Sequence, residues 1–155
     1  MLPQPNFFYQ AQHPKEVDEI FHVFAGFNIL NVYFWTKIYE SLINNKIKFD
    51  SVVECGVGRG RSLLVLKQLL DLYIATGQIN IGDQSITVYG LDSFEGFPAP
   101  SDYDKSYREP KKGEWSKSPS GKYKYSPEFI NKVFQKAGVS TISLELVKGY
   151  FQEST

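Results

Sequence analysis

The chain is poor in the residues that would commit it to several common chemistries. Its single cysteine, Cys55, excludes an internal disulfide and fits a reducing compartment, so a cytoplasmic protein is expected. Only two histidines are present, and neither His13 nor His22 lies near Cys55 in sequence; a small buried side chain is therefore a better reading of Cys55 than a reactive thiol. Basic and acidic residues balance at 17 each, so no global field recruits nucleic acid. No basic segment followed by an apolar run opens the chain, and no secretory signal is expected. The densest apolar stretch, residues 20–35, is interrupted by His22, Asn28 and Asn31 and falls short of the roughly 20 residues of a membrane span, so no membrane partner is expected. What remains, 155 residues with 42% hydrophobic and 22% charged, is the composition of a globular unit with a core.

The organising stretch is residues 52–64 (VVECGVGRGRSLL), which reads as a buried strand, an acid at its tip, a glycine-dense turn and the start of a helix. Glycines at 56, 58 and 60 permit backbone torsions closed to other residues, so a ligand can lie against the main chain. A dinucleotide fingerprint wants G-x-G-x-x-G, but here the third glycine comes one residue early and Arg61 stands in its place. A P-loop needs a Gly-Lys pair that this stretch lacks. Glu54 would repel phosphate yet suits a cation, and S-adenosylmethionine, with a sulfonium, an ammonium and no phosphate, fits that charge pattern. An ordinary strand-to-helix turn is the plainer alternative.

Residues 87–98 (TVYGLDSFEGFP) form a second apolar run ending in an acid. In a β-α-β unit this strand lies beside the first, bringing Asp92 and Glu54 to one sheet edge, where a carboxylate can accept both ribose hydroxyls. The distance from Gly58 to Asp92 exceeds the usual spacing of about 20 residues, which a polar insertion at residues 77–85 explains. Asp92 is otherwise a turn or helix cap.

Three blocks, residues 54–63 (ECGVGRGRSL), 92–98 (DSFEGFP) and 147–155 (VKGYFQEST), resemble in order those of the macrocin O-methyltransferase (TylF-type) family, over about residues 50–155. The chain departs from the family pattern at Gly58, where the family usually has Trp, at Arg61, where it has Gly, at Tyr150, where it tends to Trp, and at Glu153, where it tends to Asp. The resemblance implies a class I, S-adenosylmethionine-binding fold and metal-assisted methylation of a hydroxyl, commonly on a sugar. It also implies Mg2+, with metal-binding aspartates that fall beyond Thr155, so no metal ligand is assigned in this chain.

Around these blocks, residues 1–47 read as an extended arm followed by a helical segment starting at Pro14, with an apolar stripe through Ile20, Phe24, Phe27, Leu30, Phe34, Ile38 and Leu42 and Gly26 as a candidate break. His22 is either a base or a structural histidine on that aromatic face. Residues 48–155 read as a Rossmann-like domain. Strands are expected at 51–57, 86–91 and 142–147, with a helix over about 60–76 whose buried face takes Leu63, Leu64, Leu66, Leu69, Leu70 and Leu72. A second helix is capped by Ser126 and Pro127, with Phe129, Val133, Phe134 and Ala137 inward and Gly138 at its end. Residues 99–125 lack periodicity and interleave lysines with Tyr103, Tyr107, Trp115, Tyr123 and Tyr125; Asp102, Asp104, Glu109 and Glu114 dilute that charge, favouring a lid over a nucleic-acid contact.

The expected architecture is thus α/β, the amino-terminal half of a Rossmann-like methyltransferase with strand order 3-2-1 and the first strand at an open edge. Such a half would be a fragment, or would be completed by another chain or a second copy. The function expected is S-adenosylmethionine-dependent O-methylation of a small-molecule hydroxyl. Glu54, Gly56, Val57, Gly58, Arg59, Gly60 and Ser62 are expected on the methionine and sugar side, with Asp92 on the ribose and Ser93 and Phe94 nearby; no catalytic base is assigned. Gly149, Tyr150 and Phe151 are expected to close over the adenine or the methyl donor. A non-catalytic binding module and a nucleotide-linked oxidoreductase are the alternatives, the second disfavoured by Arg61.

Overall fold

The computed structural model describes residues 29–82, 85–104, 107, 109–137 and 142–151. The amino-terminal arm, the helix start at Pro14, His22, Gly138 and the end of the third block lie outside the described residues.

Within them the order is α1 (Ile29–Asn44), β1 (Ser51–Cys55), α2 (Arg61–Ala75), β2 (Thr87–Asp92), a 3-10 turn at Asp102–Asp104, α3 (Pro127–Lys136) and β3 (Ser143–Lys148). The three strands are parallel in the order β1-β2-β3, as the sequence implies, with Glu54 opposite Gly90 and Gly90 opposite Leu146. Parallel neighbours require crossover connections, and α2 and α3 supply them. Val52, Val88, Leu144 and Leu146 share one core with Leu63, Leu64, Leu66 and Leu70 of α2 and Ile130, Val133 and Phe134 of α3, so both helices cover the same sheet face. On the alternate pleat Val53 and Val147 are 54% and 37% exposed.

That pleat corrects one expectation. Cys55 is exposed, because it follows Ser51 and Val53 on the face that neither α2 nor α3 covers.

Helix α2 begins at Gly60, whose φ of 82° turns the chain out of β1, and passes Gly77 (φ 70°) just beyond its end. Its buried face differs from the leucine pattern: Leu72 is exposed, whereas Lys67 is buried, ion-paired to Asp71 at 3.2 Å with its ammonium 5.9 Å from the Phe134 ring. A lysine stem covers apolar surface while its charge finds a partner. Helix α3 starts as expected, the Ser126 hydroxyl accepting the Phe129 N–H at 3.2 Å, and Val133 and Phe134 are buried as expected, but Ile130 is fully buried beside them and Phe129 only partly buried.

The stripe on α1 is shifted at its aromatic positions: Phe34 is exposed, and the inner face runs through Trp35 and the fully buried Tyr39 to Leu42, as expected, and Ile43. Polar handles decide this: the fully buried Tyr39 donates its hydroxyl to the Leu66 carbonyl at 3.1 Å, and the Trp35 indole donates to Ser62 Oγ at 3.2 Å. A phenylalanine at either place would leave α2 oxygens without those donors.

Gly90 sits where the three layers meet. A Cβ there would lie 2.8 Å from Val57 and Leu146 methyls and 3.0 Å from a Leu63 methyl. Gly90→Ala should therefore overpack the sheet-to-α2 contact and cost about 1–3 kcal/mol, read as a lower denaturant midpoint; an unchanged midpoint would contradict the packing described.

Candidate active site

The turn after β1 carries positive φ at Gly56 (88°), Gly58 (53°) and Gly60 (82°), and a Cβ at 56 or 58 would meet nothing within 4 Å. Main chain is thus bared beside open space at the carboxyl edge of the sheet. The Gly56 N–H donates to the Leu91 carbonyl at 2.8 Å and the Gly149 N–H to the Asp92 carbonyl at 3.0 Å, which extends the ladder into both edge loops.

Asp92 ties this edge together. Its Oδ2 accepts the Gly58 N–H at 2.8 Å and its Oδ1 accepts the Phe94 N–H at 2.7 Å. Phe94 is a buried non-glycine residue at φ 54°, a conformation that costs energy and persists only where its surroundings hold it. After it, Gly96 (φ 77°) lets two loops touch: a Cβ there would come within 2.2 Å of the Glu114 carbonyl oxygen. Phe97 N–H donates to Glu114 O at 3.0 Å and Gly113 N–H to Phe97 O at 2.9 Å, so the long loop is laced to the DSFEGFP block.

These segments bound a cleft of about 400 Å³, toward the small end of typical ligand sites, lined by Gly56, Gly58, Asp92, Ser93 and Phe94. Five of the ten residues expected at the site are therefore brought together. Glu54, Val57, Arg59, Gly60 and Ser62 are not on its wall: Val57 and Gly60 are buried under the turn, and Glu54 and Ser62 pair behind it. Trp115 and Tyr125 of the long loop and Gly149, Tyr150 and Phe151 of the last loop complete the cleft, with Gly96, Phe97 and Pro98. The last three stood in the sequence as part of the DSFEGFP block without an assigned role; a glycine between two aromatics before a proline was the available signal. A larger cavity of about 630 Å³, lined by residues 42–43, 46–49 and 78–82, lies toward the amino ends of β1 and β2. It lacks the bared turn and the strand-tip acid that give the smaller cleft its chemistry.

Glu54 and Asp92 lie on the same sheet face, since Glu54 is opposite Gly90 and Asp92 is two residues further along β2. Their environments differ. Asp92 carries two backbone hydrogen bonds, whereas Glu54 Oε2 is buried and without a hydrogen-bond partner. Burial pushes the Glu54 carboxyl up to about 7, with the hydrogen bond from Ser62 acting in the opposite direction. Burial also lowers Arg61, helped by repulsion from Arg59. Among the described residues no group of three or more His, Cys, Asp or Glu side chains could hold a metal ion, so they do not fit a metal centre and no step is routed through one. No helix among them is long and apolar enough to cross a membrane.

A parallel sheet with crossover helices on one face, a glycine turn after β1 and acids at the tips of β1 and β2 defines a partial Rossmann-like fold, with the candidate cleft at the strand carboxyl ends. The macrocin-O-methyltransferase (TylF) family model matches residues 32–155, and the chain belongs to that family of methyltransferases. The crystal structure of CalS11, a calicheamicin methyltransferase, matches with a TM-score of 0.57 at 19% identity, covering 81% of this chain and 46% of that one. The shared property is the fold, and the chain spans about half the length of that structure. No curated protein sequence matches the chain.

The Glu54 carboxyl has a consequence for stability. Because its folded pKa lies above the ordinary 4.5, the folded state holds a proton that the unfolded state has released; its contribution is complete below pH 4.5 and is lost as pH rises to about 7. The loss should be on the order of 3 kcal/mol, and Glu54→Gln should flatten it in denaturation curves across that window. A variant with the same pH slope as the unsubstituted chain would contradict the assignment.

Proposed function

We propose that the chain forms the donor-binding half of an S-adenosylmethionine-dependent O-methyltransferase acting on a small-molecule hydroxyl, a sugar hydroxyl being the first class to test. The observation that carries this reading is the junction of the bared Gly56–Gly58 main chain with Asp92, beside a cleft sized for one small ligand. Each Asp92 oxygen has a lone pair left after its backbone bond, so the carboxylate can still accept ribose hydroxyls. Ser93 and the buried Phe94 follow it on the cleft wall. When ionised, Glu54 adds a negative charge behind the turn that suits the ammonium or sulfonium of a donor and not a pyrophosphate, although burial pushes its carboxyl up to about 7.

The bound donor would supply an electrophilic methyl group on a cationic sulfur. The chain's own residues contribute position: the glycine turn and Asp92 fix the donor, and the aromatic wall of Phe97, Trp115, Tyr150 and Phe151 narrows the space beside it. Holding donor and acceptor in line accounts for a large share of the acceleration in such transfers. Removal of the acceptor proton needs a base, and no residue here is assigned to it.

Calorimetric titration tests the reading. S-adenosylmethionine and S-adenosylhomocysteine should bind, NAD should not, and Asp92→Ala should weaken binding by at least tenfold through loss of charge-assisted hydrogen bonds. Binding of NAD with no response to the methyl donor would overturn it. Methyl transfer from labelled donor to a sugar acceptor then separates an enzyme from a binding module.

A further inference from the structure

Trp115 holds a backbone conformation that a bulky side chain seldom adopts. Its φ is 71°, in the left-handed region, where a non-glycine residue costs energy and persists only if its neighbours impose it. They do so from two sides. The Phe97 N–H donates to the Glu114 carbonyl at 3.0 Å, which fixes the peptide before Trp115 to the block after β2. Beyond Trp115, the Ser116 carbonyl accepts the Tyr125 N–H at 2.9 Å, which fixes the chain to the segment that enters α3. The Ser116 hydroxyl also donates to the Gly113 carbonyl at 2.7 Å, closing the turn around Trp115. Gly96 makes the first tie possible, since a Cβ there would come within 2.7 Å of the Gly113 carbonyl group and 2.2 Å of Glu114 O.

Burial offsets little of this cost. Trp115 is 58% exposed, and Phe97 and Phe151 on the same cleft are 38% and 49% exposed. Large apolar side chains bared together on one concave surface mark a place where a ligand supplies the missing contact. Position along the sheet says which part of a ligand that is. The strand order β1-β2-β3 puts Asp92 between the bared turn after β1 and the loop after β3. Every aromatic residue on the cleft wall comes from the chain after β2 or after β3, and none from the turn after β1. Among the described residues that line the cleft, Asp92 alone carries a charge. A nucleoside held by its ribose at Asp92 sends its 5′ substituent and its base in opposite directions. With the charged end toward the glycine turn, the base meets the aromatic side, where a flat neutral π system stacks well.

We propose that Trp115 is the stacking platform for the adenine base of the methyl donor, presented by the left-handed backbone of the long loop, which thereby serves as a fixed wall of the donor site. This rests on the donor reading given above. It adds a residue that sets the affinity for the base and that lies outside all three sequence blocks from which the site is otherwise built.

The test uses two ligands that share the base but differ at the 5′ end, S-adenosylmethionine and 5′-methylthioadenosine, with Trp115→Gly and Trp115→Phe. Glycine accepts the left-handed conformation without strain. Trp115→Gly should therefore weaken both ligands by the same factor, on the order of tenfold, while the denaturant midpoint of the free chain holds or rises. Trp115→Phe keeps a ring and should retain most of the affinity by calorimetry. Because the chain has only two tryptophans, the change in indole emission on adding donor should disappear in Trp115→Phe even though binding persists. A lowered midpoint accompanying the loss of binding in Trp115→Gly would show a merely structural tryptophan and overturn the proposal. Unchanged affinity for both ligands in that variant, or weakening of S-adenosylmethionine alone, would overturn it as well. If the unsubstituted chain bound neither ligand, the donor reading itself would fall and this proposal with it; donor binding that leaves Trp115 emission unmoved sinks this proposal alone.

Discussion

Two backbone N–H groups converging on the Asp92 carboxylate are the constraint on which the site depends. One comes from the glycine turn after β1, the other from Phe94 in the loop after β2. Without the acid, the turn would lose the Asp92 anchor across the strand boundary, and only the burial of its ring would offset the left-handed conformation of Phe94. With it, the tips of two parallel strands become one surface. Everything else at the edge is arranged from there: the Gly96 contact with the long loop, the ladder bond from Gly149 to Asp92, and the cleft between them.

The two acids of the site divide the work by environment. Asp92 is solvated by peptide donors, so its charge is satisfied inside the protein. Glu54 is held by Ser62 on one side and has no hydrogen-bond partner on the other, and burial drives its carboxyl toward neutrality. A carboxylate that the fold leaves unsatisfied costs stability and gains from a cation. That asymmetry is what a positively charged methyl donor would use, and it runs against stability in the way binding sites commonly do.

Much of this was legible in the sequence because glycine and the strand-tip acids punctuate it strongly. The turn at 56–60, the acid at 92, the Ser126 cap and the sheet order all follow from local signals, since few residues can occupy those backbone positions. What was not legible depends on contacts between distant elements. The phase of α1 turned on whether Trp35 and Tyr39 found oxygens on α2, which no periodicity within α1 encodes. Cys55 was expected inside because it stands beside the glycine turn, yet strand alternation sent it to the face that α2 and α3 leave bare. Leu72 faces solvent, and Lys67, which has no place in the leucine pattern, is buried because its long side chain reaches both Asp71 and the Phe134 ring. The second cavity, between residues 42–49 and 78–82, has no motif at all and appears only when those segments are placed together.

That two cavities of different size coexist makes the location of ligand the direct question for the whole account. Backbone amide shifts recorded as S-adenosylmethionine is added answer it. Perturbations centred on Gly56, Gly58, Phe94 and Gly149 are the predicted result. Shifts confined to residues 46–49 and 78–82, with the glycine turn unmoved, would contradict the claim that the acid-anchored strand tips are where this protein meets its methyl donor.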